Sequence, residues 1–158
     1  MTFYAYSKTA ISKWDERFLR LAKEISTWSK DPGSKVGCVI VDPKRRIVAT
    51  GYNGLPRGIE DKPAFLSDRS KKLCMTIHAE LNAILTSDVK DHSDNTMFCT
   101  HYSCSRCTAA AIQAGVRKFV YPQQSPEFIE RWAEDLEISR LLINEANAEF
   151  HHYTDYQL

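Results

Sequence analysis

Apolar residues recur near the start of the chain at spacings of four, three, four and three: Trp14, Phe18, Leu21, Ile25 and Trp28. This is the stripe of an amphipathic helix that turns its apolar side to a core, and Asp31-Pro32-Gly33 closes it. The period then changes. Short β-branched runs at 36–41 and 47–51, joined by Asp42-Pro43-Lys44-Arg45, read as two antiparallel strands of a hairpin. Residues 52–72 are rich in Gly, Pro and charge, too long for a plain connection and too polar for core, which marks a candidate functional loop.

The helical period returns over 76–87, with Ile77, Leu81, Ile84 and Leu85 on one face. A strand is expected at 96–100, an Ala-rich helix at 104–114 ended by Gly115, and another strand at 116–121. Pro126 opens a last helix in which Phe128, Ile129, Trp132, Leu136 and Ile143 share a face above an acidic solvent side, and 148–153 adds a final edge strand. The pattern predicts an α/β fold, a three-layer αβα sandwich with one mixed sheet of about five strands and helices on both faces.

Composition narrows the function. At 158 residues and 43% hydrophobic, without repeat, linker or low-complexity tract, residues 1–158 are expected to form a single domain around one active site. Lys plus Arg number 21 against 20 for Asp plus Glu, so no global positive field favours polymeric nucleic acid, and a small ligand fits better. No run approaches the roughly 20 apolar residues that cross a bilayer, and Met1-Thr2-Phe3-Tyr4-Ala5 lacks the basic and apolar regions of a signal peptide. A cytoplasmic protein without membrane partners is expected. Five cysteines, two of them in a C-x-x-C, then read as metal or redox chemistry before disulfides.

His78-Ala79-Glu80 opens one predicted helix and Cys104-Ser105-Arg106-Cys107 the next, so an imidazole and two thiols converge between two helix starts. One nitrogen and two sulfurs suit zinc, and three protein ligands leave a fourth position for water, which is the mark of a catalytic site. The helix dipole and the metal both favour thiolate at Cys104 and Cys107. Glu80 is too hard a ligand to be the obvious fourth one and is placed to shuttle the proton of an activated water. H-x-E with P-C-x-x-C is the general signature of zinc nucleobase deaminases. Ser103 stands where that signature has proline, and serine offers a different way to start the helix, as its N-cap.

Over residues 14–149 the chain resembles the deoxycytidylate deaminases. The resemblance is carried by the zinc motif, Asp31-Pro32-Gly33-Ser34-Lys35-Val36-Gly37, Gly51-Tyr52-Asn53-Gly54-Leu55-Pro56-Arg57-Gly58, His78-Ala79-Glu80-Leu81-Asn82-Ala83-Ile84 and Pro126-Glu127-Phe128. It implies a cytidine deaminase-like fold, deamination of deoxycytidylate (dCMP) to dUMP, catalytic Zn2+ on His78, Cys104 and Cys107, and Glu80 as proton shuttle. It further implies an allosteric nucleotide site at Gly51, Tyr52, Asn53 and Gly54, where dCTP with Mg2+ activates and dTTP inhibits, within a homo-oligomer that is commonly a hexamer. By the same analogy Ser34, Lys35, Val36 and Ala79 border the substrate, with Lys35 for the 5′-phosphate, Asn53 for the sugar, and Tyr102 or Tyr121 to stack on the base. Tyr102-Ser103 departs from the family pattern at two adjacent positions, beside the expected zinc.

Other readings attach to particular residues. Cys74 lies four residues before His78, and a helix starting early would bring it into a closed, purely structural four-ligand zinc site in a nucleotide-binding or interaction module. The C-x-x-C at a helix start also fits a thiol–disulfide oxidoreductase, although the His78-Ala79-Glu80 companion argues against it. A tRNA adenosine editor shares the zinc pattern but calls for a basic face, and deamination of dCTP or a 5-substituted dCMP stays open. Cys38 and Cys99 read as buried apolar fillers, His151-His152 as an exposed terminal pair, and His92 as a loop residue without a role.

Overall fold

The computed structural model describes the backbone of Tyr6–Lys8 and all of residues 10–158. Residues 1–5, on which the expectation about a signal peptide partly rests, lie outside them. No helix among the described residues is long and apolar enough to cross a membrane.

The first helix, α1 (Lys13–Ser26), starts where the Ser12 hydroxyl accepts from the Asp15 N–H at 3.1 Å. Its buried face is Phe18, Leu19, Ala22, Ile25 and Ser26, so Leu19, Ala22 and Ser26 join the expected stripe while Leu21 is only half-buried. The stripe's two ends stay outside: Trp14 is 38% and Trp28 54% exposed. Trp14 instead carries the guanidinium groups of Arg17 and Arg45 at 4.6 and 4.4 Å from its ring.

The hairpin forms as β2 (Gly37–Val41) and β3 (Ile47–Tyr52), and the sheet continues through β4 (Thr96–Cys99), β5 (Lys118–Pro122) and β6 (Glu149–Tyr153). A strand the sequence pattern did not reveal, β1 (Tyr6–Lys8), pairs parallel with β6 and makes the sheet six-stranded, in the order β1-β6-β5-β4-β2-β3. The segment expected as an edge strand, 148–153, is therefore internal. β2 runs antiparallel to both β3 and β4, whereas β4, β5 and β6 run parallel. Alternation along β2 feeds two cores, with Val39 and Val41 towards α1, and Cys38 and Ile40 towards the opposite helical layer. That second layer comprises α4 (Ala79–Thr86), α5 (Ser105–Gln113) and α7 (Ala133–Glu145). The αβα sandwich expected from the pattern is thus the observed architecture.

Two glycines let the layers close. A Cβ on Gly37 would sit 1.9 Å from the Ala22 carbonyl oxygen of α1, and one on Gly51 would sit 2.2 Å from the Ala79 carbonyl oxygen of α4. Backbone contact of that kind admits no side chain. The helix α4 is consequently seated on β3 at a fixed height.

Several expectations are corrected here. The segment 52–72 is not wholly irregular but holds α2 (Pro63–Leu66) and the start of α3 (Arg69–Met75), the latter capped by Asp68 accepting from the Lys71 N–H at 3.1 Å. The last helix is two, α6 (Pro126–Arg131) and α7, joined at Trp132, whose φ of −108° and ψ of 12° leave the helical region. Ile129 and Trp132 remain exposed, while Leu136 and Ile143 enter the core. His151 is buried in β6 and bonded to Glu149, and His152 meets the Tyr102 hydroxyl at 3.2 Å, so the pair is not an exposed terminal one. His92 is buried too, with Nδ1 2.9 Å from Asn95.

Candidate active site

The helices α4 and α5 begin at His78 and Cys104, and neither N-cap residue caps its own helix with its side chain. Both side chains are thereby released for another task. The His78 Nδ1 lies 3.5 Å from the Cys104 Sγ and 3.4 Å from the Cys107 Sγ. With Zn–N near 2.0–2.1 Å and Zn–S near 2.3 Å, a tetrahedron requires N···S separations of about 3.5 Å. The donor set and its spacing fit zinc. His78, Cys104 and Cys107 form a potential metal-binding group with all donor atoms within 4.8 Å, and Cys74 does not join it. α3 ends at Met75, Thr76 is extended, and Ile77 forms an isolated antiparallel bridge with Gly54, so no continuous helix joins Cys74 to His78. The closed four-ligand reading is corrected on that ground: Cys74 is exposed on α3.

The thiols are electrostatically uneven. The Cys107 thiol, hydrogen-bonded to Cys104, brings Cys104 down to about 4 against the opposing effect of burial, and His78 helps. Cys107 is pushed up by that same bond and by burial. Both sulfurs would have to be thiolates to hold a divalent cation, so metal binding at this pair would be linked to proton release. His78 is raised, first by its bond to Cys104.

Glu80 follows in the first turn of α4 and is only 4% exposed. Burial raises its pKa, opposed by hydrogen bonds from its own backbone N–H and from the Ser103 side chain. A carboxylate held in this way can keep a proton that an exposed one would surrender.

Ser103 does not cap α5 as expected, because the helix starts one residue later and the Ser103 hydroxyl accepts from Tyr121 at 2.9 Å. The capping comes from α7, where the Asp135 carboxylate accepts from the Ser105 N–H at 2.9 Å and from its hydroxyl at 2.5 Å. Ser139, also on α7, donates to the Ser103 carbonyl at 3.0 Å. The two metal-facing cysteines are thus fixed by a helix about 30 residues further on, which no local motif announces.

The substrate and effector candidates divide. Asn53, 6% exposed, accepts from the Val36 N–H and donates to the Ser34 carbonyl, both at 2.8 Å, so its amide holds the entry to β2. Ser34 and Lys35 are exposed, and Ala79 is buried beside Glu80. Asp31 organises the same turn, accepting from the N–H groups of Gly33 at 2.7 Å and Ser34 at 3.1 Å, and from the Lys72 ammonium of α3 at 3.0 Å. Tyr121 is fully buried, and Tyr102 is 7% exposed with edge contacts to Tyr121 and Phe150 at 5.3 and 5.2 Å. The expectation of a base stacked on either ring is corrected, since their faces are already packed. Gly51 is buried under α4 and presents nothing to an effector, whereas Tyr52 and Gly54 line a shallow cavity of about 90 Å³ with Trp28, Asp31 and Asp61.

Three soft donors at two helix starts, a buried carboxylate two residues from the imidazole and an αβα sandwich together define a zinc-dependent deaminase. The chain belongs to the cytidine and deoxycytidylate deaminase family, whose zinc-binding region matches residues 12–123. It is 40% identical over 139 residues to an uncharacterized deaminase in the luxG 3′ region of Aliivibrio fischeri, covering 88% of this chain and 92% of that one. The deoxycytidylate deaminase of Mus musculus is 33% identical over 147 residues, 90% and 80% of the two chains. Among solved structures, dCMP deaminase from the cyanophage S-TIM5 in complex with dCMP and dUMP matches with a TM-score of 0.69 at 23% identity, covering 90% of this chain and 98% of that one, a likeness of fold.

Proposed function

We propose that the protein hydrolyses dCMP to dUMP and ammonia in the cytoplasm, with Zn2+ held by His78, Cys104 and Cys107 and Glu80 moving the protons. The observation that carries this reading is the buried Glu80 carboxylate beside a three-donor cluster of zinc spacing. Support for dCMP comes from the family and from the mouse relative's name. Zinc, when bound, supplies the Lewis acidity that makes a water reactive towards the ring carbon bearing the amine. Glu80 would move two protons in turn, one from the attacking water to the ring nitrogen and then one from the resulting C4 hydroxyl to the amine, which departs as ammonia. The Asn53 amide orders the Ser34–Val36 backbone, and its second amide hydrogen is the group available to a sugar hydroxyl. Lys35 is exposed next to it and meets the 5′-phosphate.

Regulation belongs to the same proposal. Nucleotide pockets usually enclose several hundred Å³, so the 90 Å³ hollow at Tyr52 and Gly54 accommodates a triphosphate with Mg2+ only when a second subunit completes it. A homo-oligomer, hexameric in this reading, supplies that wall. The test follows ammonia release from dCMP, dCTP, 5-methyl-dCMP and deoxycytidine, with and without dCTP or dTTP plus Mg2+. Highest kcat/KM on dCMP, with activation by dCTP and inhibition by dTTP, is expected. Preference for another cytosine compound would replace the substrate, and indifference to both triphosphates would remove the effector site.

A further inference from the structure

Residues 29–36 join α1 to β2 without helix or strand, so side chains must fix what a backbone ladder would otherwise hold. The Ser29 hydroxyl donates to the Asn53 carbonyl at 2.7 Å and accepts from the Asp31 N–H at 3.3 Å. Asp31 accepts from the Gly33 and Ser34 N–H groups, and the Asn53 amide holds Ser34 and Val36 from the other side. Asn53 is in turn tied to the metal-facing residues, because Gly54 pairs with Ile77 through bonds of 3.1 and 2.8 Å and His78 follows Ile77. The turn that carries Ser34, Lys35 and Val36 is thus linked through Asn53 to the start of α4. A cation from α3 reaches this network. The Lys72 ammonium lies 3.0 Å from the Asp31 Oδ1, the same oxygen that receives the Gly33 and Ser34 N–H groups. It also lies against the turn itself, 3.2 Å from where a Cβ on Gly33 would be. The Lys72 and Asp31 side chains are only 20% and 8% exposed. The Lys30–Asp61 pair, 2.7 Å long, ties the same segment to the residue before Asp31, but at 70% and 32% exposure water screens it. Of the two ion pairs, the shielded one is able to hold geometry.

We propose that Lys72 is a positioning residue for substrate binding: acting through Asp31, it holds the Ser34–Val36 turn in the conformation that receives the nucleotide. This rests on the proposed function, in which that turn borders the sugar and the 5′-phosphate. Lys72 touches no substrate. Without its ammonium the Asp31 carboxylate is free to turn to water, and the Gly33 and Ser34 N–H groups lose their common acceptor. Lys35 is then presented from a loose turn, which binding must first order. The zinc donors and Glu80 stand on α4 and α5, so the chemical step is unaffected once the nucleotide is in place.

The test compares the zinc-loaded parent with Lys72→Met, Lys72→Arg, Asp31→Asn and the Lys72→Met, Asp31→Asn double variant, on whichever cytosine nucleotide the parent deaminates fastest. Lys72→Met is expected to raise KM about 10-fold with kcat and zinc content unchanged. Lys72→Arg restores a cation within reach of Asp31 and is expected to keep KM within about twofold of the parent. In the Asp31→Asn background, Lys72→Met is expected to cost nothing further, because the pair is already broken. Lys71→Met removes the exposed neighbouring cation of α3 and is expected to leave KM where it was. Lys72→Met keeping KM within about twofold of the parent overturns the proposal. So does a loss confined to kcat, an equal rise of KM in Lys71→Met, a Lys72→Arg as impaired as Lys72→Met, or a double variant that multiplies the two single effects. Should Lys72→Met fail to fold, Lys72→Gln keeps a donor without the charge and carries the same expectation and the same contrary result. A parent that deaminates no cytosine nucleotide defeats the proposed function itself, an outcome distinct from a working parent with indifferent variants.

Discussion

At the scale of single residues, the chemistry of this protein depends on side chains kept from their ordinary occupations. His78 and Cys104 stand at N-caps and cap nothing, and Glu80 is a carboxylate almost wholly removed from water. Cys74 is a cysteine nearby in sequence that takes no part in the cluster. Cys74→Ser is therefore expected to retain full zinc, measured by metal analysis, whereas Cys107→Ser is expected to lose it. Asp31 makes a pH prediction. Burial would raise its pKa, but the Gly33 N–H, the Lys72 ammonium and the Ser34 N–H together hold it below the usual carboxylate value. A depressed folded pKa stabilises the fold above the unfolded value of about 3.9 and loses that contribution as pH falls through the folded one. Asp31→Asn should thus lower unfolding free energy by about 1–2 kcal/mol near neutral pH. In urea melts the two proteins should converge at pH values below Asp31's folded pKa.

The elements explain how those residues come together. Asp135 of α7 stands in for the missing cap of α5, and removing an N-cap acceptor costs about 1 kcal/mol. Asp135→Ala is expected to lower thermal stability and to speed zinc loss to a chelator, because Cys104 and Cys107 ride on that helix start. Gly51→Ala is expected to be worse, at about 1–3 kcal/mol or more, since its Cβ would meet backbone of α4 that cannot yield like a side chain. A denaturation curve and turnover measured together would check both. The zinc donors and Glu80 were legible in the sequence, because metal and proton chemistry restrict the residue types and the helix period sets their spacing. Asp135, Ser139 and Lys72 were not, because contacts across 30 to 41 residues leave no local trace. β1 was missed since three residues carry too little pattern, and β6 looked like an edge because its histidines read as polar. The stacking rings failed for a related reason, as a tyrosine near a site and a tyrosine beneath it share one sequence signal.

For the whole molecule, antiparallel β2 and β3 extend a parallel β4-β5-β6 core, with α1 on one face and α4, α5 and α7 on the other. The site sits where α4 and α5 begin together, so the fold's second layer and its chemistry are one object. Stripping the metal is then expected to destabilise as well as inactivate: a structural contribution from the cluster should appear as a lower melting temperature in chelator, restored by added zinc.

The most direct measurement is ammonia release from dCMP by the parent and by Glu80→Gln, each shown to hold one zinc per chain. A loss of about 10²–10⁴-fold in kcat with zinc retained is the predicted result. Comparable turnover in the two proteins would contradict the assignment of proton transfer to Glu80.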